Sequence, residues 1–328
     1  MKRYLARRLA ATAVTLAGIV VAVFLLIHAA PGDPALLYAG FRPGDRPPAA
    51  VLEEVRRAHG LDRPIAAQLG SWAARAARLD LGDSIAHRRP VASLIGERIP
   101  ATLLLNGLAL LVALLVAVPL GAASAVRAGS WADRSSAAAL FILYSLPTFW
   151  TALLLIEVFA VRLDLLPLFG AASSGSESLP FGERFADRIA HLVLPVTVLS
   201  YGMIAFLARF VRSSLRESLG EEYVRTARAK GAGMGAVVWI HAFRNALVPM
   251  VSLLGVVIPW LLSGSVIVEQ IFQWNGIGSL FFGAILSRDY PLVVGLTLVA
   301  ALVTLAASVI SDVLYAVVDP RIRVGEAA

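Results

Sequence analysis

The stretch ATLLLNGLALLVALLVAVPLGAASAV, residues 101–126, contains no charged side chain. A bilayer core needs roughly 20 apolar residues in one helix, and this run exceeds that. In lipid every backbone N–H and C=O must be satisfied within the segment, so the run reads as a membrane-spanning helix. Working outward, five more runs qualify, at about 9–30, 136–161, 190–208, 246–268 and 291–311. Nothing alternates with period two over ~10-residue stretches, which argues against an outer-membrane barrel. Of 328 residues, 58% are hydrophobic and the mean hydropathy is +0.77, against roughly 45–50% apolar in soluble domains. The fold class that follows is an all-α polytopic membrane protein with six spans.

The first run begins after Lys2, Arg3, Arg7 and Arg8 and ends near Ala29 and Ala30, as a signal peptide would. Leu9 to Ile27 is longer than the ~7–15 residues of a signal core, so an anchor is expected. With the N-terminus inside, segments 1–8, 127–134, 209–244 and 313–328 carry a net +9, and segments 31–98, 162–188 and 269–289 sum to zero. Glu157 and Asp312 bring the total to +7. The excess of positive charge inside fits that orientation and places both termini in the cytoplasm. Trp131, Trp239 and Trp274 fall outside the spans, where interfacial anchors lie, whereas Trp150 and Trp260 fall inside them, as packing or pathway residues.

The organisation expected is residues 1–30 as N-terminus and first span, 31–98 as an extracytoplasmic helical segment, and 99–328 as a five-helix core carrying a cytoplasmic loop at 209–244. In the outer segment, Val51, Val55 and Ala58 mark a short helix stopped by Gly60. Ile65, Leu69, Trp72, Ala76 and Leu79 mark a second, with Pro64 in its first turn. A third, from Pro90, carries Val91, Leu94 and Ile95 into span two. This segment reads as a cap on the bundle, a docking platform for an extracytoplasmic partner, or both. AASSGSES (171–178) has linker composition. Pro119, Pro147, Pro195 and Pro259 lie inside spans, where proline permits kinks that suit a pathway able to open and close.

The segment 209–244 is polar and sits between spans four and five. Ser218 and Glu221 have capping-box spacing, which predicts a helix start there. Glu222 near the positive end, and Arg225, Arg228 and Lys230 near the negative end, complement the helix dipole. Tyr223, Val224 and Ala227 share a face, Thr226 lies between, and Gly231 is a natural stop. The product is a short amphipathic helix presented to the cytosol, either a plain surface helix or a lever for a soluble partner.

The segment EEYVRTARAKGA (221–232), followed by HAFRNALVPM (241–250), resembles the EAA loop of binding-protein-dependent ABC importers, in particular the dipeptide/oligopeptide permease family. The resemblance runs through PGDPA (31–35), LDLGDS (79–84), PVASLIGERIPATL (90–103), SLPTFW (145–150), QIFQWNGIGSL (270–280), RDYPLVVG (288–295) and VLYAVVDPRIR (313–323). Against the broader EAA pattern only Ala227 and Gly231 fit strictly, as in the peptide-permease version. The resemblance implies the type I (MetI-like) importer permease fold. It implies a second, related permease subunit, two cytoplasmic ATPases that bind ATP and Mg, an extracytoplasmic solute-binding protein, and a bacterial inner membrane. Residues 222–231 then form the ATPase-coupling helix.

Other chemistry is excluded or weak. Cysteine is absent, and Lys2 and Lys230 are not followed by Ser or Thr, so neither disulfides nor a P-loop can exist here. No cofactor is expected on this chain. None of the five histidines begins HExxH. GAGMG (231–235) reads as a turn, and the charge hugs the predicted membrane ends, so no nucleic-acid partner is expected. Glu157, an acid within span three, is a pathway candidate or an interfacial residue. Asn106, Trp150 and Trp260 are weaker pathway candidates. The function expected is the permease subunit of an ATP-driven importer of di- or oligopeptides, not itself an enzyme. The alternatives are nickel or glutathione-like cargo on the same fold, or an ATP-independent secondary transporter.

Overall fold

The computed structural model describes residues 2–29, 34–39, 41, 47–58, 60–76, 78, 80–246, 257, 259–261 and 265–318. Most of span five, the PGDP of 31–34, His59 and Leu79 lie outside or at the edge of the described residues. Helices α1 (Lys2–Ala29), α2 (Pro34–Tyr38), α3 (Ala49–Ala58), α4 (Ile65–Ala76) and α5 (Val91–Val126) come first. Next are α6 (Trp131–Ser145), α7 (Thr148–Leu155), α8 (Phe181–Gly220), α9 (Glu222–Ala229) and α10 (Met234–Ala236). The last are α11 (Val266–Ile271), α12 (Ile277–Leu286) and α13 (Tyr290–Val318). By Cα packing the chain forms two compact units, Met1–Ile99 with Leu280–Leu305, and Pro100–Ser279 with Ala306–Ala328.

Among the described residues, α5, α8 and α13 are each long and apolar enough to cross a membrane alone, and α6 with α7 passes as a bent pair. α8 has 40 residues, roughly 60 Å at 1.5 Å per residue and twice a bilayer core. The apolar run 190–208 is therefore only its middle.

The prolines do not act alike. Pro119 and Pro195 sit inside uninterrupted helices. Pro147 ends one: α6 and α7 meet at 95°, so span three is two helices where one kinked helix was expected. Proline offers no N–H to continue the ladder, and the Leu146 carbonyl at the corner accepts instead from the Tyr201 hydroxyl of α8, at 2.8 Å. After α7 the chain widens into a π-helical turn, Ile156–Arg162.

The second unit is held by close packing of small residues. Ala113 and Ala117 of α5 cluster with Leu140 of α6 and with Ala205, Leu207 and Ala208 of α8, all buried. At Gly121 the helices touch backbone to side chain: a Cβ there would lie 2.6 Å from the Ala208 carbonyl oxygen and 2.8 Å from Val211 Cβ. Lipid tails are as apolar as leucine, so helices in membranes associate by such close fits and not by simple greasiness. Lower on the same pair, Leu105 and Ala109 pack with Leu192, Val196 and Trp274.

In the first unit, Val91, Leu94 and Ile95 are buried, as the helix leading into span two requires. They begin α5 itself, with no break before the span. Asp289 is fully buried and ties two segments quoted above. Its carboxylate accepts from the Ser84 hydroxyl, from the backbone N–H of Ile85 and Ala86 at 3.1 Å, and from that of Leu292 at 3.3 Å. α3 and α4 match the two outer helices read from the sequence, although α3 has no buried residue. AASSGSES is ordered: Ser173 donates from its N–H and hydroxyl to Asp187, and Ser176 is buried in a short 3-10 turn.

Gly121→Ala is expected to destabilise the solubilised protein by about 1–3 kcal/mol through overpacking. Gly107→Ala, at a position open on all sides, is expected not to. Thermal unfolding of the two variants in one detergent checks this.

Candidate coupling site and transport path

α9 is built as an exposed helix with a two-residue root. Val224 and Ala227 are buried, joining Ala122 and Ala125 of α5, Leu215 of α8 and Val237, Val238, Ala242 and Ala246 beyond it. Glu222, Tyr223, Arg225, Thr226, Arg228 and Lys230 are all exposed, so Tyr223 leaves the face on which helical spacing had placed it. The capping box does not form. Ser218 is buried in the last turn of α8 and its carbonyl accepts from the Glu221 N–H, while α9 starts one residue later, at Glu222. α8 runs on because Leu215 continues its apolar stripe into the cluster under α9.

The far end of α9 closes as read. Gly231 has φ +84°, its N–H donates to the Arg228 carbonyl at 2.9 Å, and the Ala232 N–H donates to the Ala227 carbonyl at 3.1 Å. This is a Schellman closure, and the left-handed residue it needs is cheap only as glycine. Ala232 packs back onto the apolar cluster. The Glu222–Arg225 pair, 3.4 Å apart and open to solvent, adds little. A π-helical turn, Val237–Ala242, follows and buries Val237, Val238 and Ala242 while Trp239 stays exposed.

What fixes the α5–α6 turn has no local signature. Asp133 is 4% exposed and bridges to Arg212 of α8 through two hydrogen bonds, Nε to Oδ1 and Nη2 to Oδ2, both 2.7 Å. It also accepts from the Gly129 N–H at 2.8 Å, and Ser130 caps α6 by accepting from the Asp133 N–H. The Arg212 bonds, then the Gly129 bond, hold the Asp133 carboxyl down at about 2, against an ordinary 3.8.

The path candidates separate into two places. Asn106 is buried, and its amide donates to the carbonyls of Trp260 and Leu261 at 3.3 and 3.0 Å, next to Pro259. Its Oδ1 is buried with no partner. Trp260 packs partly buried against the Leu105–Leu192 cluster. Asn106 and Trp260 thus come together. Trp150 lies half exposed just after the Pro147 corner. Glu157, on the π-helical turn, pairs with Arg162 at 2.9 Å, both side chains largely exposed. Trp274, expected as an interfacial anchor, is buried and donates from its indole to the Ala101 carbonyl at 3.0 Å.

QIFQWNGIGSL also proves to be a knot. Glu269, fully buried, accepts from the Ser279 N–H at 2.8 Å and from the Thr102 hydroxyl at 3.3 Å, and Thr102 in turn accepts from the Ile277 N–H at 2.8 Å. A Cβ at Gly276 would fall 2.5 Å from Thr102 Oγ1 and 2.6 Å from the Glu269 carboxylate, so the turn closes only with glycine. Among the described residues no three His, Asp or Glu side chains are placed to hold a metal ion.

Residues 117–324 match the family described as binding-protein-dependent transport system inner membrane component, and residues 1–106 match its N-terminal region. The chain is 38% identical over 324 residues to the oligopeptide transport system permease protein AppB of Bacillus subtilis, covering 98% of this chain and 100% of that one. It is 37% identical over 341 residues to the dipeptide transport system permease protein DppB of Escherichia coli, covering 98% and 99%.

Because Asp133 titrates lower when folded than unfolded, its pair stabilises fully above pH ~4 and loses that contribution as pH falls toward 2. Asp133→Asn is expected to cost about 2 kcal/mol at neutral pH, below the ~3–5 of a fully buried pair because Arg212 is partly exposed. The gap in melting temperature between wild type and variant should close on acidification between pH 4 and 2. A gap constant with pH would contradict the pairing.

Proposed function

The chain belongs to the family of binding-protein-dependent transport system inner membrane components, a membrane subunit of an ABC importer and not itself an enzyme, and we propose that its cargo is di- and oligopeptides. The oligopeptide and dipeptide names of relatives that align end to end support this cargo over nickel or glutathione-like solutes. The proposed assembly pairs it with a second, related permease subunit, two cytoplasmic ATPases that bind ATP and Mg, and an extracytoplasmic solute-binding protein. It sits in a bacterial inner membrane with both termini in the cytoplasm, and residues 31–98 face the binding protein.

The observation that carries the coupling role is the root of α9. Val224 and Ala227 share one buried cluster with the ends of α5 and α8 and with 237–246, while six side chains are exposed toward a partner. A displacement of α9 therefore reaches two membrane helices through packed atoms. ATP binding closes the ATPases, α9 moves with the subunit that grips it, and the corner at Pro147 and the helix at Pro259 are the places where the spans can rearrange. The free energy comes from the ATPases' differential binding to the two states. Within the path, Asn106 beside Trp260 has the stronger support as a lining pair, since its amide donates to the Trp260 and Leu261 carbonyls. Glu157, already neutralised by Arg162, and Trp150 are secondary candidates.

Gly231→Val is expected to strain the Schellman closure by roughly 1–2 kcal/mol and to cut ATP-driven peptide uptake at least several-fold in the assembled transporter, with ATP hydrolysis less affected. Full uptake would overturn the coupling assignment. The orientation has its own test, helped by the absence of native cysteine. In intact cells a membrane-impermeant maleimide should label Ser174→Cys but reach Thr226→Cys only after permeabilisation.

A further inference from the structure

The geometry points to a binding site for the phosphate of an anionic phospholipid at the loop end of α5, α6 and α8, on the cytoplasmic side in the orientation proposed above. A cleft there is lined by Ser124 of α5, by Asp133, Ser136, Ala137 and Leu140 of α6, and by Ala208, Arg209 and Arg212 of α8. Its enclosed part holds about 20 Å³, the room of a single water, so the phosphate sits at the mouth. Ser124 and Ser136 share one hydrogen bond across the floor, at 3.1 Å.

The charge around the mouth is unbalanced. Arg209, Arg212 and Arg216 recur along α8 at helical spacing, and Arg216 is near enough to act on the Asp133 carboxylate. Asp133 is the one acid lining the cleft, and Arg212 already neutralises it. Arg209, which lines the cleft, and Arg216 are exposed, and among the described residues neither has a carboxylate within ion-pair distance. Arginine's planar fork suits phosphate oxygens, and basic pockets between membrane helices on the cytoplasmic side are built to take lipid headgroups.

Position favours lipid over a protein partner. Arg209 directly follows the apolar run 190–208, and the cleft walls turn apolar at Ala137 and Leu140. Trp131, at the start of α6, is 83% exposed, as a side chain seated among headgroups would be. α8 runs on for eleven residues beyond Arg209, to Gly220, roughly 16 Å of helix, before α9 begins. Ser124, which lines the cleft, falls between Ala122 and Ala125, which root α9, so the lipid site neighbours the root of α9 while its Arg209 end lies against the apolar run. A bound lipid would reinforce the Asp133–Arg212 corner from the membrane side.

The test uses the assembled transporter in nanodiscs of phosphatidylcholine with or without phosphatidylglycerol, with co-purifying lipid read by native mass spectrometry. Wild type should retain phosphatidylglycerol selectively. Arg209→Gln should lower that retention about five-fold, Arg209→Lys should restore part of it, and phosphatidylcholine should be unaffected. If Arg209→Gln fails to assemble, Arg216→Gln, at an exposed position near Asp133, should give a smaller loss of the same kind. Equal retention by wild type and variants would overturn the site. Displacement of the lipid by inorganic phosphate at matched ionic strength would assign it to free phosphate and overturn the lipid reading. Loss of the ATPase subunits with lipid retention unchanged would assign the arginines to a protein partner. None of these readings depends on which side the loops face, which the cysteine labelling decides separately.

Discussion

At Gly121 the α5 helix approaches α8 so closely that a single added methyl would strike the Ala208 carbonyl and Val211. Much of the second unit depends on that fit. Ala113 and Ala117 continue it along α5, and Leu140 brings α6 into the same cluster. Just past it, Ala122 and Ala125 floor the pocket into which α9 sets Val224 and Ala227. In water such alanines would contribute modest burial. In lipid, where apolar surface gains nothing by leaving the solvent, the gain is dispersion between closely fitted atoms. The root of α9 thus sits beside the close approach of α5 and α8 at Gly121.

Close packing sets how helices touch, and buried carboxylates set where loops lie. Asp289 gathers Ser84, Ile85, Ala86 and the first turn of α13. Glu269 gathers Thr102 and the turn at Gly276–Ser279. Asp133 gathers Gly129 and Arg212. Removing an acid from water is expensive unless several donors meet it, so each carboxylate is compatible with only one placement of segments distant in sequence. Asp289 lies within RDYPLVVG and Glu269 immediately precedes QIFQWNGIGSL, two stretches that carry the family resemblance. Their chemistry gives those stretches a physical reason to keep their pattern.

The spans could be read directly because long apolar runs have few alternatives. Gly231 could be read because a helix stop with a left-handed residue has a composition. The capping box at Ser218 misled because the same four letters fit the inside of a longer helix, and Leu215 decided for the longer one. Tyr223 was misplaced because a two-residue root buries a narrower stripe than helical spacing allows. Trp274 lies between spans in sequence yet is buried, since the Glu269 turn folds its segment back against Ala101. Pro147 could be read as a kink, but not as a 95° corner whose Leu146 carbonyl is met by Tyr201 some fifty residues away.

By itself the sequence determined the class of protein, its long apolar helices, the clustering of its positive charge between them and the presence of a short amphipathic helix closed at Gly231. All of these follow from local composition, which fixes how a segment meets lipid, water and its own backbone. The tertiary structure alone decided which proline breaks a helix, which acids are buried, which face of α9 is free and that Asp133 and Arg212 form one corner. Those outcomes are set by contacts between distant residues, where fits of a few tenths of an ångström and the cost of an unpaired buried charge select one arrangement among many that local pattern permits.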